Sequence, residues 1–156
     1  MEGLTIVALR PKLKQLIGKS TQPATVVVEK GQIRRFASAI GEESRIHFDD
    51  EAAREAGFRA IVAPATFPGV LTPPDLFLAD FGWDPQAVMH RAEEYEYFRP
   101  ICAGDTLEVT HKVADVFEQS GGGGSTLVFA VLETQAVDER DRPVFKGRRV
   151  IVKLNS

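Results

Sequence analysis

The final third of the chain restricts the architecture most. In residues 105–120 (DTLEVTHKVADVFEQS), Leu107, Val109, His111 and Val113 alternate with Thr106, Glu108, Thr110 and Lys112. A period of two places one set of side chains on each face of a β-strand. The glycines of 121–124 form a flexible connection to a second strand, STLVFAVLETQAV, and the turn VDERDRP leads into a third, VFKGRRVIVKL. Long strands joined by short connections predict an antiparallel meander. An earlier strand, EEYEYFRP, precedes them, with the turn residues CAGD between.

Upstream the pattern is mainly helical. Residues 25–30 (TVVVEK) have the β-branched density of a short strand. In GQIRRFASAIG, Ile33, Phe36, Ala37 and Ile40 recur at helical spacing and make one apolar face, with Arg34 and Arg35 opposite. Gly41 is placed to end that helix in a left-handed conformation, which makes EESRIHF a loop. DDEAAREAG predicts a short helix, capped by Asp49 or Asp50 and stopped by Gly57. From Thr66, TFPGVLT reads as a helix start with Thr66 as N-cap and Pro68 in the first turn. Pro73 and Pro74 break or kink it before DLFLADFG resumes. Its all-round apolar character makes this segment the expected long central helix, with Phe67, Leu71, Leu76, Phe77 and Phe81 in the core. The fold class is α+β: an antiparallel sheet wrapped around that helix.

Composition excludes several functions. At 156 residues, the chain reads as one domain over 1–156, with residues 1–20 as an N-terminal arm. Net charge is −3 and the basic residues are scattered apart from a short cluster at 146–149, which argues against nucleic acid. The single cysteine, Cys102, excludes an internal disulfide and reads as a small apolar filler. No apolar run approaches the roughly 18 residues that span a bilayer, and the N-terminus lacks the pattern of a signal peptide. A cytoplasmic protein is expected. His90 and His111 read as surface or edge residues, Trp83 as a loop anchor, and no metal or other cofactor is implied.

Two segments, FASAIGEESRIHFDDEAAREAGFRAIVAPATF and YFRPICAGDTLEV, resemble the MaoC-like hydratases and dehydratases, which have the hot-dog fold. The resemblance covers roughly residues 20–154. The family's catalytic signature is Asp-x-Asn-Pro-x-His with a His-Gly pair downstream. By resemblance, Glu42 stands at the aspartate, Ser44 at the asparagine, Arg45 at the proline and His47 at the histidine, while Ala63 and Pro64 stand at the His-Gly pair. The APATF version is similar to the N-terminal, FAS1-like branch, in which many members have lost the histidine and bind the acyl chain while a partner performs the chemistry. Here His47 is present.

That resemblance implies hydration of 2-enoyl thioesters, or dehydration of (3R)-hydroxyacyl thioesters, carried by coenzyme A or acyl carrier protein. Glu42 and His47 would be the acid/base pair and Ser44 would orient one of them. Pro64 has no N–H to offer the thioester oxygen, so Ala65 or Thr66, or a partner subunit, must supply that donor. Phe67 completes the expected substrate-binding set with Ser44, Pro64, Ala65 and Thr66. The alternatives are a non-catalytic acyl-binding subunit and, more weakly, an acyl thioesterase. An open sheet edge predicts a homodimer with a continuous sheet, or a heterodimer with a second hot-dog subunit.

Overall fold

In the computed structural model, which describes residues 11–154, the alternation of the C-terminal third becomes a meander of adjacent strands. Residues 1–10 of the expected arm lie outside the described residues. In chain order the elements are α1 (Pro11–Lys14), β1 (Ala24–Val27), α2 (Lys30–Ala39), α3 (Asp50–Glu55), α4 (Leu78–Phe81), β2 (Val88–Tyr97), β3 (Thr106–Ser120), β4 (Thr126–Asp138) and β5 (Pro143–Lys153). Short 3₁₀ turns occur at Arg45–His47, Phe67–Leu71, Pro85–Ala87 and Gly122–Gly124. The five strands form one antiparallel sheet in the order β1-β3-β4-β5-β2.

α2 is the longest helix of the described residues and carries the apolar face that its spacing predicts. Ile33 and Ala37 are fully buried, and Phe36 packs beside them against Val28, Ile61, Phe67, Leu107, Val109 and Phe145. Ile40, the fourth position of that face, is 47% exposed because it is the C-cap, past the last turn that touches the core. Gly41 then takes φ +77°, the left-handed conformation expected of it.

The segment expected to be the long central helix departs from that expectation. Residues 66–81 form a 3₁₀ turn, Phe67–Leu71, and the four-residue α4, with an extended Thr72 and a left-handed Phe77 (φ +61°) between them. The hydrogen bonds give the reason. An α-helix would pair the Ala65 carbonyl with the Gly69 N–H, and the Gly69 carbonyl with residue 73. Instead the Gly69 N–H donates to Thr66 O at 3.1 Å, and the Tyr97 hydroxyl donates to the Ala65 carbonyl at 2.6 Å. Residue 73 is proline and has no N–H, so the Gly69 carbonyl meets the Arg149 guanidinium at 3.5 Å. The core assignment of the segment survives: Phe67, Leu76, Phe77 and Phe81 are buried, and Leu71 is partly buried. Trp83 is buried too, its ring stacked on Phe81 at 4.6 Å.

His111 is a second correction. It shares the inward face of β3 with Val109 and Val113 and is buried, with Nδ1 2.9 Å from Thr134 Oγ1 on β4. Strand alternation, which pairs His111 with valines, contained this information. His90, by contrast, lies exposed on the edge strand β2. Cys102 is buried, and burial pushes its thiol pKa up, in keeping with a filler role.

Truncating Ile33 to Ala should lower unfolding stability by about 2–5 kcal/mol, whereas Ile40→Ala should change it by less than ~0.5 kcal/mol, as read from urea midpoints. For His111, burial and then the Arg149 charge lower the pKa below its ordinary 6.5, so the unfolded chain takes up the proton first as pH falls. Stability from the neutral ring is complete above pH 6.5 and is lost as pH falls through the folded-state value. A His111→Gln variant should therefore show a flatter fall in denaturation midpoint below pH 6.5 than the parent chain.

Candidate active site

Gly41 turns the chain off α2, and the Glu42 N–H closes the helix end on the Ala37 carbonyl at 2.9 Å. The 3₁₀ turn Arg45–His47 then carries His47 inward until it is 8% exposed. On its far side, Asp49 caps α3 by accepting from the Glu51 N–H at 3.1 Å. Arg45, 2.5 Å from Asp49, holds that carboxyl below its usual pKa, and Lys30 does the same for Asp50. These two acids are capping and pairing groups, as their sequence positions suggest.

The 61–63 segment clips this loop to the rest of the fold. Val62 N–H donates to Ile46 O at 3.1 Å, Ala63 N–H to Ile101 O at 2.8 Å, and Ala103 N–H to Ile61 O at 2.8 Å. The Val62 carbonyl also lies 2.7 Å from His47 Nδ1. A carbonyl only accepts, so the neutral ring carries its proton on Nδ1 and leaves the Nε2 lone pair free. Nε2 faces Glu42 Oε2 at 3.8 Å. Glu42 is exposed, so the pair sits at the boundary between core and solvent, where one partner is rigid and the other accessible.

Two residues beyond Val62 comes the 64–66 turn. Pro64 is buried, and its carbonyl accepts from the Phe67 N–H at 2.9 Å. Ala65 and Thr66 are exposed, and among the described residues their N–H groups have no acceptor. Of the predicted residues, the structure pairs Glu42 with His47 through their side chains, and it leaves the amides of Ala65 and Thr66 free among the described residues, on the turn that follows the Val62 carbonyl holding His47. Ser44 contributes its carbonyl, which receives the His47 N–H at 3.2 Å, while its side chain is exposed and makes no hydrogen bond among the described residues. Phe67 is fully buried, edge-on to Phe36 at 5.6 Å, so it supports the turn from within the core.

Sequence reasoning missed the residues that grip this turn from the sheet. Tyr97 on β2 holds Ala65; Arg149 on β5, paired with Glu93 at 2.8 Å, reaches Gly69. The alternating aromatic and acidic residues of EEYEYF were a signal for a strand with one inward face, but nothing local marked which carbonyl that face would meet. Among the described residues, no three His, Cys, Asp or Glu side chains are grouped to hold a metal ion, and no helix is long and apolar enough to cross a membrane.

An antiparallel five-stranded sheet with α2 packed on it, and a histidine–glutamate pair on the loop after that helix, match the MaoC-like dehydratases of the hot-dog fold. The profile of the family described as "FAS1-like, dehydratase domain region" matches residues 15–147, and the chain belongs to that family. A UPF0336 protein of Clavibacter michiganensis is 36% identical over 129 residues, covering 80% of this chain and 85% of the relative. The Mycobacterium tuberculosis HadBC complex, a (3R)-hydroxyacyl-ACP dehydratase, superposes with a TM-score of 0.74 at 23% identity, over 88% of this chain and 96% of that one. A protein described as a MaoC-like dehydratase gives a TM-score of 0.78 at 20% identity, over 92% of this chain and 44% of that one. At these identities the structural likeness is one of fold, and that fold is the hot-dog fold anticipated above.

Proposed function

We propose that the protein is a hydro-lyase that adds water to 2-enoyl thioesters, or removes it from (3R)-hydroxyacyl thioesters, carried by coenzyme A or an acyl carrier protein. The observation that carries this reading is the His47 ring, tethered through Nδ1 to Val62 O and offering Nε2 to Glu42 Oε2 at 3.8 Å. A water with contacts of ~2.8 Å to each side can bridge that separation. In the hydration direction its oxygen bonds to the β-carbon. The water's proton passes to the His47–Glu42 pair and a proton of that pair is returned to the α-carbon, so that the H and OH of one water are added and the pair ends in its starting protonation state. Negative charge passes through the thioester oxygen, where the free amides of Ala65 and Thr66 are available as donors in place of the N–H that Pro64 lacks.

A second reading, a non-catalytic acyl-binding subunit, is favoured by Pro64 itself. It requires that the exposed amides following the proline fail to serve the carbonyl. Following the loss of enoyl absorbance with a panel of 2-enoyl-CoA chain lengths separates the two. Turnover by the chain alone supports the hydro-lyase, and turnover only with an added hot-dog partner supports the subunit. Replacing His47 with Ala, or Glu42 with Gln, should lower kcat by about 10²–10⁴-fold. Full activity in either variant would remove the assigned roles. Thiol release without hydration would instead indicate a thioesterase.

Assembly follows from the edges. β2 is a ten-residue edge strand paired only with β5, and Met89, Tyr97, Phe98 and Val70 lie exposed along or near it. Such an edge pairs with another strand unless it is covered, so β2 is the surface through which two copies, or this chain and a second hot-dog subunit, extend the sheet. Because Tyr97 of that strand bonds Ala65, the interface borders the site. Light scattering at micromolar concentration should give twice the 17.1 kDa chain mass if the chain acts alone; a fully active monomer would contradict this assembly.

A further inference from the structure

The hydrogen bond from Tyr97 Oη to the Ala65 carbonyl, 2.6 Å long, has a directional consequence at the next atom of the chain. The Ala65 carbonyl and the Thr66 N–H belong to one peptide group. That group is planar and trans, since no described peptide bond is cis, so its C=O and N–H point in opposite directions. Whatever grips the carbonyl therefore aims the amide. With Tyr97 holding the oxygen against the sheet, the Thr66 N–H is turned away from β2, on an exposed residue, with no acceptor among the described residues.

The alternatives that would rotate this peptide are all closed. In a continuous helix the Ala65 carbonyl would be taken by the Gly69 N–H, but that amide is occupied by Thr66 O at 3.1 Å. The preceding carbonyl, Pro64 O, is held by the Phe67 N–H at 2.9 Å. Pro68 has no N–H to compete. Tyr97 is thus the group outside the turn that sets the plane of the 65–66 peptide. Although Tyr97 as a whole is partly exposed at the sheet edge, desolvation raises its pKa above the ordinary 10, so the hydroxyl remains a donor throughout the working pH range. A carbonyl that accepts a hydrogen bond polarises its peptide and strengthens the N–H at the other end as a donor.

We propose that Tyr97 is a positioning residue that aims and polarises the Thr66 N–H as the donor to the substrate's thioester oxygen. The assignment rests on the hydro-lyase reading for its substrate, but its structural half can be read without any substrate. It also explains how a chain with proline at position 64 keeps a directed donor: the amide moves two residues along, and the sheet, rather than a helix, orients it.

The test uses the full chain and Tyr97→Phe, with Tyr95→Phe as control, because among the described residues the Tyr95 hydroxyl, buried near Glu93 and Arg149, donates to no carbonyl of the turn. Without substrate, ¹H–¹⁵N spectra should show the Thr66 amide displaced in Tyr97→Phe and unmoved in Tyr95→Phe. A Thr66 resonance unchanged by Tyr97→Phe overturns the proposal, whatever the activity. With 2,4-hexadienoyl-CoA as probe, the parent chain should red-shift the bound dienoyl absorbance as its carbonyl is polarised. Tyr97→Phe should bind the probe with the shift reduced, and kcat for enoyl hydration should fall about 10–100-fold with KM nearly constant. An undiminished red shift and kcat in Tyr97→Phe also overturn it. Failure of the parent chain to hydrate any enoyl-CoA sinks the hydro-lyase reading instead, and the amide comparison alone then decides whether Tyr97 sets the turn.

Discussion

Four prolines between residues 64 and 74 deny the backbone the amide hydrogens that a continuous helix across the sheet would need, and much of the architecture around the site answers that deficit. Four of the carbonyls left without an α-helical partner are met from elsewhere. Pro64 O and Thr66 O are taken within the 3₁₀ turn, Ala65 O by a tyrosine of β2, and Gly69 O by an arginine of β5. An unpaired buried carbonyl would lose its hydration without compensation, at roughly 1–3 kcal/mol each. The sheet is therefore bound to the turn by polar contacts as well as by packing. These polar bonds have fixed directions, and that places the exposed amides.

The interior reflects this arrangement. One apolar cluster gathers around Ile33, Phe67, Leu107 and Phe145, and a second around Phe81, Trp83, Val116 and Ile151. Inward-facing polar positions occur on the strands as well. Arg149 pairs with Glu93 across β5 and β2, and His111 reaches Thr134 across β3 and β4. Gly147 has a related role on β5. A Cβ there would meet the Tyr95 ring at 3.1 Å, so the absence of a side chain lets the ring lie across the strand. Arg149 ties the turn to the sheet, and its charge is one of the two reasons that the His111 pKa is lowered.

The histidine–glutamate pair draws on the same economy of backbone groups. Val62 sits between Ile46 and the 101–103 turn, and its carbonyl is the acceptor for His47 Nδ1. A buried imidazole with one nitrogen satisfied by a rigid backbone oxygen keeps one orientation and one tautomer. Glu42 lies at the exposed start of the loop, free of an arginine or lysine partner among the described residues, whereas Asp49 and Asp50 are each paired to a cation. That difference in pairing separates Glu42 from the carboxylates engaged in capping and ion pairs.

Much of the fold was written in local pattern. The strand alternation of 106–113, the apolar face of 33–37, the stop at Gly41 and the cap at Asp49 each depend on neighbours a few residues away, so sequence spacing determined them. Glu42 and His47 were legible as a pair through the resemblance to the family signature, which sets both on one loop. Residues 66–81 were not legible, because apolar content cannot distinguish a long helix from a broken one when the deciding bonds come from Tyr97 and Arg149, strands away in the chain. Nor could the inward burial of His111, or the choice of Val62 as the partner of His47, be settled from spacing. Both depend on which backbone and side-chain groups the sheet brings within about 3 Å, and hydrogen bonds act only over that range and in fixed directions. The sequence by itself determined which residues share the loop and the turn; the tertiary structure decided which way they point.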